Sequence, residues 1–307
     1  MQVHRNTDQL PLLRNAVVTI GTFDGVHTGH QKILRQLKDE AAEVNGETVL
    51  ITFHPHPRKV LANQKPIKLI NTLDEKIELL AGQQLGHLVI VPFTPAFSNL
   101  SADAYIRDFL VGKFHPHTVI IGYDHRFGHD RAGDYRLLET YADKLNFRLK
   151  EIPGLVIDSI TVSSTRIRET VSSGDIKTAN ELLGYDFFFE GKVIEGNKLG
   201  RTLGYPTANL QPDAEKLVPG DGIYAVEADL NGQRLNGMMS IGIRPTIGDG
   251  KRMIEVNLFD FDKEIYGETL RVYVKTFMRP EIKFEGLDAL VQQLHRDKEE
   301  ALRILKL

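Results

Sequence analysis

The sequence predicts an α/β chain in two parts. A parallel sheet with helices spans residues 1–184, and an antiparallel barrel or sandwich with a C-terminal helix spans residues 185–307. Three observations carry this. Apolar runs at 16–20, 48–53, 88–93 and 118–121 alternate with stretches of helical periodicity, the pattern of parallel βαβ units. Beyond Gly184, β-prone segments at 187–194, 222–230, 235–241, 252–259 and 270–277 follow one another with little helix between them. Finally Leu287, Leu290, Leu294, Ala301 and Leu305 form a stripe at helical spacing. The boundary between the parts is expected near 180–187, with the helical segment 176–183 as a connector.

Length and composition narrow the function classes. A chain of 307 residues, 41% hydrophobic, can bury two cores. No apolar run approaches the ~20 residues of a membrane span, and residues 1–14 are too polar for a signal peptide. The absence of cysteine excludes a disulfide scaffold and agrees with a reducing cytoplasm. A net charge of −3 gives no reason to expect nucleic acid, although a few basic residues can still bind single phosphates. Self-association is left open.

In the first part, the run at 16–20 predicts a buried strand. It is cut by Gly21 and Gly25, and a helix follows with Ile33, Leu34 and Leu37 on its apolar face. Strand, glycine-bearing turn and helix start make an anion site, because the first helical N–H groups lack partners and the helix dipole is positive there. Gly29 would let a phosphate approach the backbone. His27 and His30 could reach one point from the same side, suited to charge developing on a transferring phosphoryl group. Zinc is the weakest alternative, since no further ligand follows at a fitting spacing. The strand at 48–53 runs into His54-Pro55-His56-Pro57, expected as a stiff loop without helix or ladder pairing. Phe53, Pro55 and Pro57 there offer flat apolar surface for an aromatic ring; alternatively Phe53 is core. Helices are expected at 72–82, with Thr72 as N-cap and Glu75 closing a capping box, and at 101–114. The strand at 118–121 leads into Gly122-Tyr123-Asp124-His125-Arg126-Phe127-Gly128, followed by Gly133-Asp134, a charged loop of the kind that carries function. At 162–169, serines cap a helix and Arg168 follows, a possible second phosphate cradle.

In the second part, Asn231-Gly232 marks a hairpin. Residues 196–209 combine three glycines and a basic pair in a phosphate-friendly flap. Thr207 and Asn209 then place two oxygen ligands on one side of an extended segment, suited to Mg²⁺. A glycine-rich loop with turn hydrogen bonds is the plainer alternative. Glu255, in an otherwise β-prone run, could serve as a general base or simply face solvent.

Together these motifs resemble the bacterial bifunctional riboflavin kinase/FAD synthetase family, over nearly the whole chain. The carriers are Gly-x-Phe-Asp-Gly-x-His-x-Gly-His at 21–30, Gly-x-Asp-x-x-Phe-Gly at 122–128 and Ser-Ser-Thr-x-Ile-Arg at 163–168. Pro-Thr-Ala-Asn at 206–209, Gly242-x-Arg244-Pro245-Thr246 and Glu255-x₃-Phe259-x-Phe261 complete the set. The resemblance implies a Rossmann-like nucleotidyltransferase domain, then a kinase β-barrel. It implies that ATP and Mg²⁺ convert riboflavin to FMN and then FMN to FAD. His27 and His30 would support the α-phosphate, beside Gly21, Phe23, Asp24 and Gly29. Ser164, Thr165 and Arg168 would hold the pyrophosphate. Phe53, Pro55, Pro57, Asp124, Phe127 and Arg279 would contact flavin. In the kinase, Gly196 and Lys198 would meet ATP, Thr207 and Asn209 the metal, and Glu255 the riboflavin 5′-hydroxyl. Ser240 stands where Asn is expected, Asn257 where His is expected, and Gly184-Tyr185-Asp186 replaces Gly-Arg-Pro. None is expected to touch the base or metal ligands. Two rivals remain, an enzyme with one live activity and a flavin-binding regulator or carrier.

Overall fold

The computed structural model describes residues 1–61, 67–122, 125–152, 156–157, 160–196, 199–243 and 252–305. It divides into two compact units, Met1–Ile67 with Leu73–Ser163, and Lys68–Thr72 with Ser164–Leu307.

The first unit contains β1 (Gln2–His4), β2 (Val17–Ile20), α1 (Thr28–Glu43), β3 (Thr48–His54), α2 (Leu73–Ala81) and β4 (His87–Pro92). After these come α3 (102–114), β5 (Thr118–Gly122), α4 (Tyr135–Leu145) and β6 (Arg148–Ile152). The strands form one parallel sheet in the order β1-β4-β3-β2-β5-β6. Every residue of β2 is buried, which is why the central strands read as unbroken apolar runs. One core cluster is built on Val18, Ile51 and Phe109, the other on Val17, Leu34 and Leu50. Strand order reverses beside β2, with β3 and β4 on one side and β5 and β6 on the other. In open α/β sheets, ligands bind beyond the strand ends at such a point. Within α3, Tyr105–Val111 takes π-helical geometry.

The expected stiff loop after β3 needs correcting. Pro57 opens a helical turn, Pro57–Val60, and the His56 imidazole accepts from the Arg58 amide. Proline suits the first helical position, where an N–H would have no helical partner. His54 also pairs in register with Pro92.

The second unit begins with α5 (Ser164–Ser173) and α6 (Ile176–Leu183). Its six barrel strands are β7 (Phe188–Ile194), β8 (Ala208–Pro212), β9 (Gly222–Leu230), β10 (Gln233–Ile243), β11 (Arg252–Leu258) and β12 (Thr269–Arg279), followed by α7 (Leu287–Leu305). The barrel is closed, in the order β8-β11-β10-β9-β12-β7, with antiparallel pairing throughout. Asn231 and Gly232 have φ values of 53° and 87°, as a two-residue hairpin turn requires. The expected stripe on α7 needs one correction, since Leu287 is 58% exposed. Farther along, Leu294, Ala301, Leu302 and Leu305 pack with Tyr205, Met238 and Phe259. Residues 68–72 join this unit through a parallel bridge from Leu69 to Lys216, whose Nζ donates to the Ile70 carbonyl at 2.6 Å. Among the described residues, no helix is long and apolar enough to cross a membrane.

Candidate functional site

The turn between β2 and α1 is tightly determined. Phe23 and Val26 hold φ values of 47° and 37°, in the left-handed region that bulky side chains avoid. Both side chains are buried in the core cluster beneath α1, which holds this strained backbone in place. His27 caps α1, its Nδ1 accepting from the His30 amide at 3.2 Å. In the neutral ring this leaves the proton on Nε2. The His27 and His30 rings stack at 3.6 Å and 15°, and the Phe23 ring lies 4.6 Å from His30. A Cβ on Gly29 would sit 3.2 Å from the His27 ring, so glycine leaves that ring room to lie across the helix start. His30 Nδ1 is buried without a hydrogen-bond partner among the described residues. Burial, then the neighbouring His27, then Lys76 hold the His30 pKa well below its ordinary value. Asp24 is buried beside them.

Lys76 gave no sign in the sequence, where a lysine in an acidic amphipathic helix reads as a solvated residue. It is 6% exposed, and its Nζ donates to the Thr22 carbonyl at 2.9 Å and lies 3.4 Å from Thr52 Oγ1. Burial lowers its pKa, opposed by Asp24.

The expected flavin contacts are more dispersed. Phe53 is half-buried, with Phe93 and Phe97 at 5.5 and 5.6 Å. Pro55 is exposed and Pro57 half-buried. Phe127 lies in the core, stacked on Tyr105 at 4.8 Å and bridged to Gly133. Asp124 falls outside the described residues. Ser164 and Thr165 open α5 in the second unit, and Arg168 Nε donates to the Lys68 carbonyl at 2.9 Å.

In the barrel, ladder register sets Glu255 on β11 directly between Asn209 on β8 and Ser240 on β10. Glu255 is half-buried and lines a cavity whose apolar wall includes Tyr205, Met238, Phe284 and Leu294. A second cavity, walled by Val193, Val256, Phe261 and Tyr266, shares Thr207 with the first. Asn209 is 5% exposed, and its Oδ1 is buried without a partner among the described residues. A Cβ on Gly196 would fall 2.1 Å from Asn209 Nδ2, so only glycine permits that approach. Gly196→Ala is therefore expected to displace the Asn209 amide. Lys198 and residues 244–246 fall outside the described residues.

The departures from the family pattern acquire places. Asn257 Nδ2 donates to the Pro206 carbonyl at 2.7 Å, tethering the residue before Thr207. Ser240 Oγ donates to Glu281 at 2.9 Å. Ser240 also faces Glu255 across the ladder, so one departure does adjoin the proposed base, contrary to expectation; sequence separation hides this cross-strand pairing. Arg279 lines the cavity, but its guanidinium forks onto the buried Asp297 at 2.8 and 2.6 Å, fastening α7 to β12.

Comparison with known proteins agrees with both halves. The FAD synthetase family model matches residues 10–166, and the riboflavin kinase family model matches residues 183–305. The bifunctional riboflavin kinase/FMN adenylyltransferase of Listeria monocytogenes is 39% identical over 288 residues, 93% of this chain and 91% of that one. Its counterpart in Bacillus subtilis is 38% identical over 296 residues, 94% and 92% of the two chains. A crystal structure of a protein described as a macrolide-efflux protein from Streptococcus pneumoniae aligns with a TM-score of 0.89 at 32% identity, covering 98% of each chain. With the motif residues at a helix cap in one unit and along a barrel ladder in the other, the chain belongs to the bifunctional riboflavin kinase/FMN adenylyltransferase family.

Proposed function

We propose that Glu255, Thr207 and Asn209 carry the riboflavin kinase activity of this chain, and that the turn at 21–30 carries its FMN adenylyltransferase activity. The observation that carries the kinase assignment is the pair of cavities meeting at Thr207, with Glu255 opening into one of them. The isoalloxazine ring would lie against Tyr205, Met238 and Leu294, and the adenosine against Val193 and Val256. The Glu255 carboxylate takes the proton of the ribityl 5′-hydroxyl. That oxygen attacks the γ-phosphorus, and ADP leaves. Thr207 and Asn209 fit Mg²⁺, since they offer neutral oxygens and the Asn209 Oδ1 is buried and unsatisfied among the described residues. When bound there, the ion would neutralise charge on the phosphate oxygens. Gly196 makes room for the Asn209 amide, and Lys198 would reach the same phosphates.

For adenylyl transfer, an FMN phosphate oxygen attacks the α-phosphorus of ATP and pyrophosphate leaves. His27 and His30, with the first amides of α1, donate to the α-phosphate as its charge develops. Gly21, Phe23, Asp24 and Gly29 shape that pocket. Family likeness supports Ser164, Thr165 and Arg168 as pyrophosphate ligands, with Phe53, Pro55, Pro57 and Asp124 beside the flavin. Phe127 would act from beneath, and Arg279 would shape the kinase cavity through its ion pair with Asp297. The adenylyltransferase is assigned to residues 1–184 and the kinase to 185–307. A cysteine-free chain that consumes ATP fits the cytoplasm.

The test is to incubate the purified protein with riboflavin, ATP and Mg²⁺ and separate the flavins. FAD is the expected product. FMN alone would leave only the kinase, and no product would leave a flavin-binding protein.

A further inference from the structure

We propose that Lys76 is a positioning residue for adenylyl transfer, a buried cation tied to the Thr22 carbonyl that fixes the turn under the His27–His30 corner. This rests on the reading of that corner as the adenylyl-transfer site.

Three features support it. Taking a lysine out of water is costly unless its ammonium group is received by oxygens. Two oxygens receive its ammonium group here, the Thr22 carbonyl at 2.9 Å and Thr52 Oγ1 at 3.4 Å. Thr52 Oγ1 itself donates to the same carbonyl at 3.0 Å, so α2, β3 and the turn are held at one point. That point lies next to Phe23, whose left-handed backbone begins the strained stretch leading to His27. The charge also acts on His30. Asp24 in the turn and His30 at the start of α1 feel the lysine, and His27 lies stacked on His30. Asp24 favours the lysine's charge, and Lys76 adds to the burial and the His27 contact that keep His30 neutral. A neutral His30 stays stacked on His27 and available to a phosphate oxygen, whereas a protonated one would set a second positive charge near Lys76 in a closed corner. The sign follows directly. Removing the Lys76 charge raises the His30 pKa, so the acid limb of adenylyl transfer moves to higher pH.

The experiment uses the full chain with Lys76→Met, Lys76→Gln and Lys76→Arg. FMN adenylylation is measured from acid to alkaline pH, with far-UV circular dichroism and thermal melting of the same preparation as the folding control. Lys76→Met is expected to lose about 100-fold in adenylylation kcat, with little change in KM for FMN, and to shift its acid limb upward. Lys76→Gln keeps a donor for the Thr22 carbonyl without the charge, and should show the same limb shift with a smaller loss in rate. Lys76→Arg should restore the limb and about tenfold of the rate. A loss equal at all pH values, with the limb unmoved in both uncharged variants, would overturn the proposal. So would adenylylation by Lys76→Met within about threefold of the unsubstituted chain. If Lys76→Met fails to fold, Lys76→Gln against Lys76→Arg decides by the same limb shift. Failure of the unsubstituted chain to make FAD from FMN and ATP would instead sink the parent reading, and this one with it.

Discussion

His30→Ala is expected to lower FMN adenylylation by about 100- to 1000-fold and to leave riboflavin phosphorylation by the same preparation unchanged. The size follows from where the ring sits. Its Nδ1 is buried and unpaired among the described residues, so none of them competes for it. Stacked on His27 at 3.6 Å, it cannot swing away, and water does not replace it cheaply in so enclosed a corner. The kinase serves as internal control because its candidate base and metal ligands all lie in the barrel unit. Separate quantitation of FAD formed from FMN and of FMN formed from riboflavin checks the result. Parallel loss of both activities in a folded variant would contradict separate sites.

Glu255→Gln gives the mirror image. Riboflavin phosphorylation is expected to fall by about 100- to 10,000-fold, the range general-base removal produces, with supplied FMN still adenylylated. The amide is nearly isosteric, so the neighbouring Asn209 and Ser240 keep their places and the loss reports proton transfer rather than collapse. Single-turnover measurement with ATP and riboflavin separates chemistry from product release. Full kinase turnover in this variant would remove Glu255 from the role and leave it as a barrel-wall residue.

The parts legible in sequence were those written in local chemistry. Continuous apolar runs such as 17–20 announce central parallel strands, and Asn231-Gly232 announces its own turn. The glycines and histidines of 21–30 announce a helix-start anion site. What stayed hidden depends on partners distant in the chain. Residues 208–212 look too polar and proline-flanked for a strand, yet their pairing with β7 and β11 closes the barrel. The three-residue β1 shows no periodicity at all, and pairing with β4 alone defines it. Pro57 reads as a breaker because its ring blocks helix interiors, although the same ring suits a first turn. Lys76 stays hidden for the opposite reason: its helix periodicity is ordinary, and only the fold shows that its charge is enclosed. The ion pair of Arg279 with Asp297 joins residues 18 apart and leaves no local trace.

Glu255 lies mid-strand in a sheet without ends, paired to β8 on one side and β10 on the other. The ladder to β8 is only two pairs long, but the ladder to β10 runs the length of the strand, so this strand has no free edge from which to peel. The amide hydrogens around Glu255 should therefore exchange with deuterated solvent only when the whole barrel comes apart. The carboxylate's aim is then as durable as the kinase half itself, and adjustment to each incoming nucleotide falls to the surrounding loops.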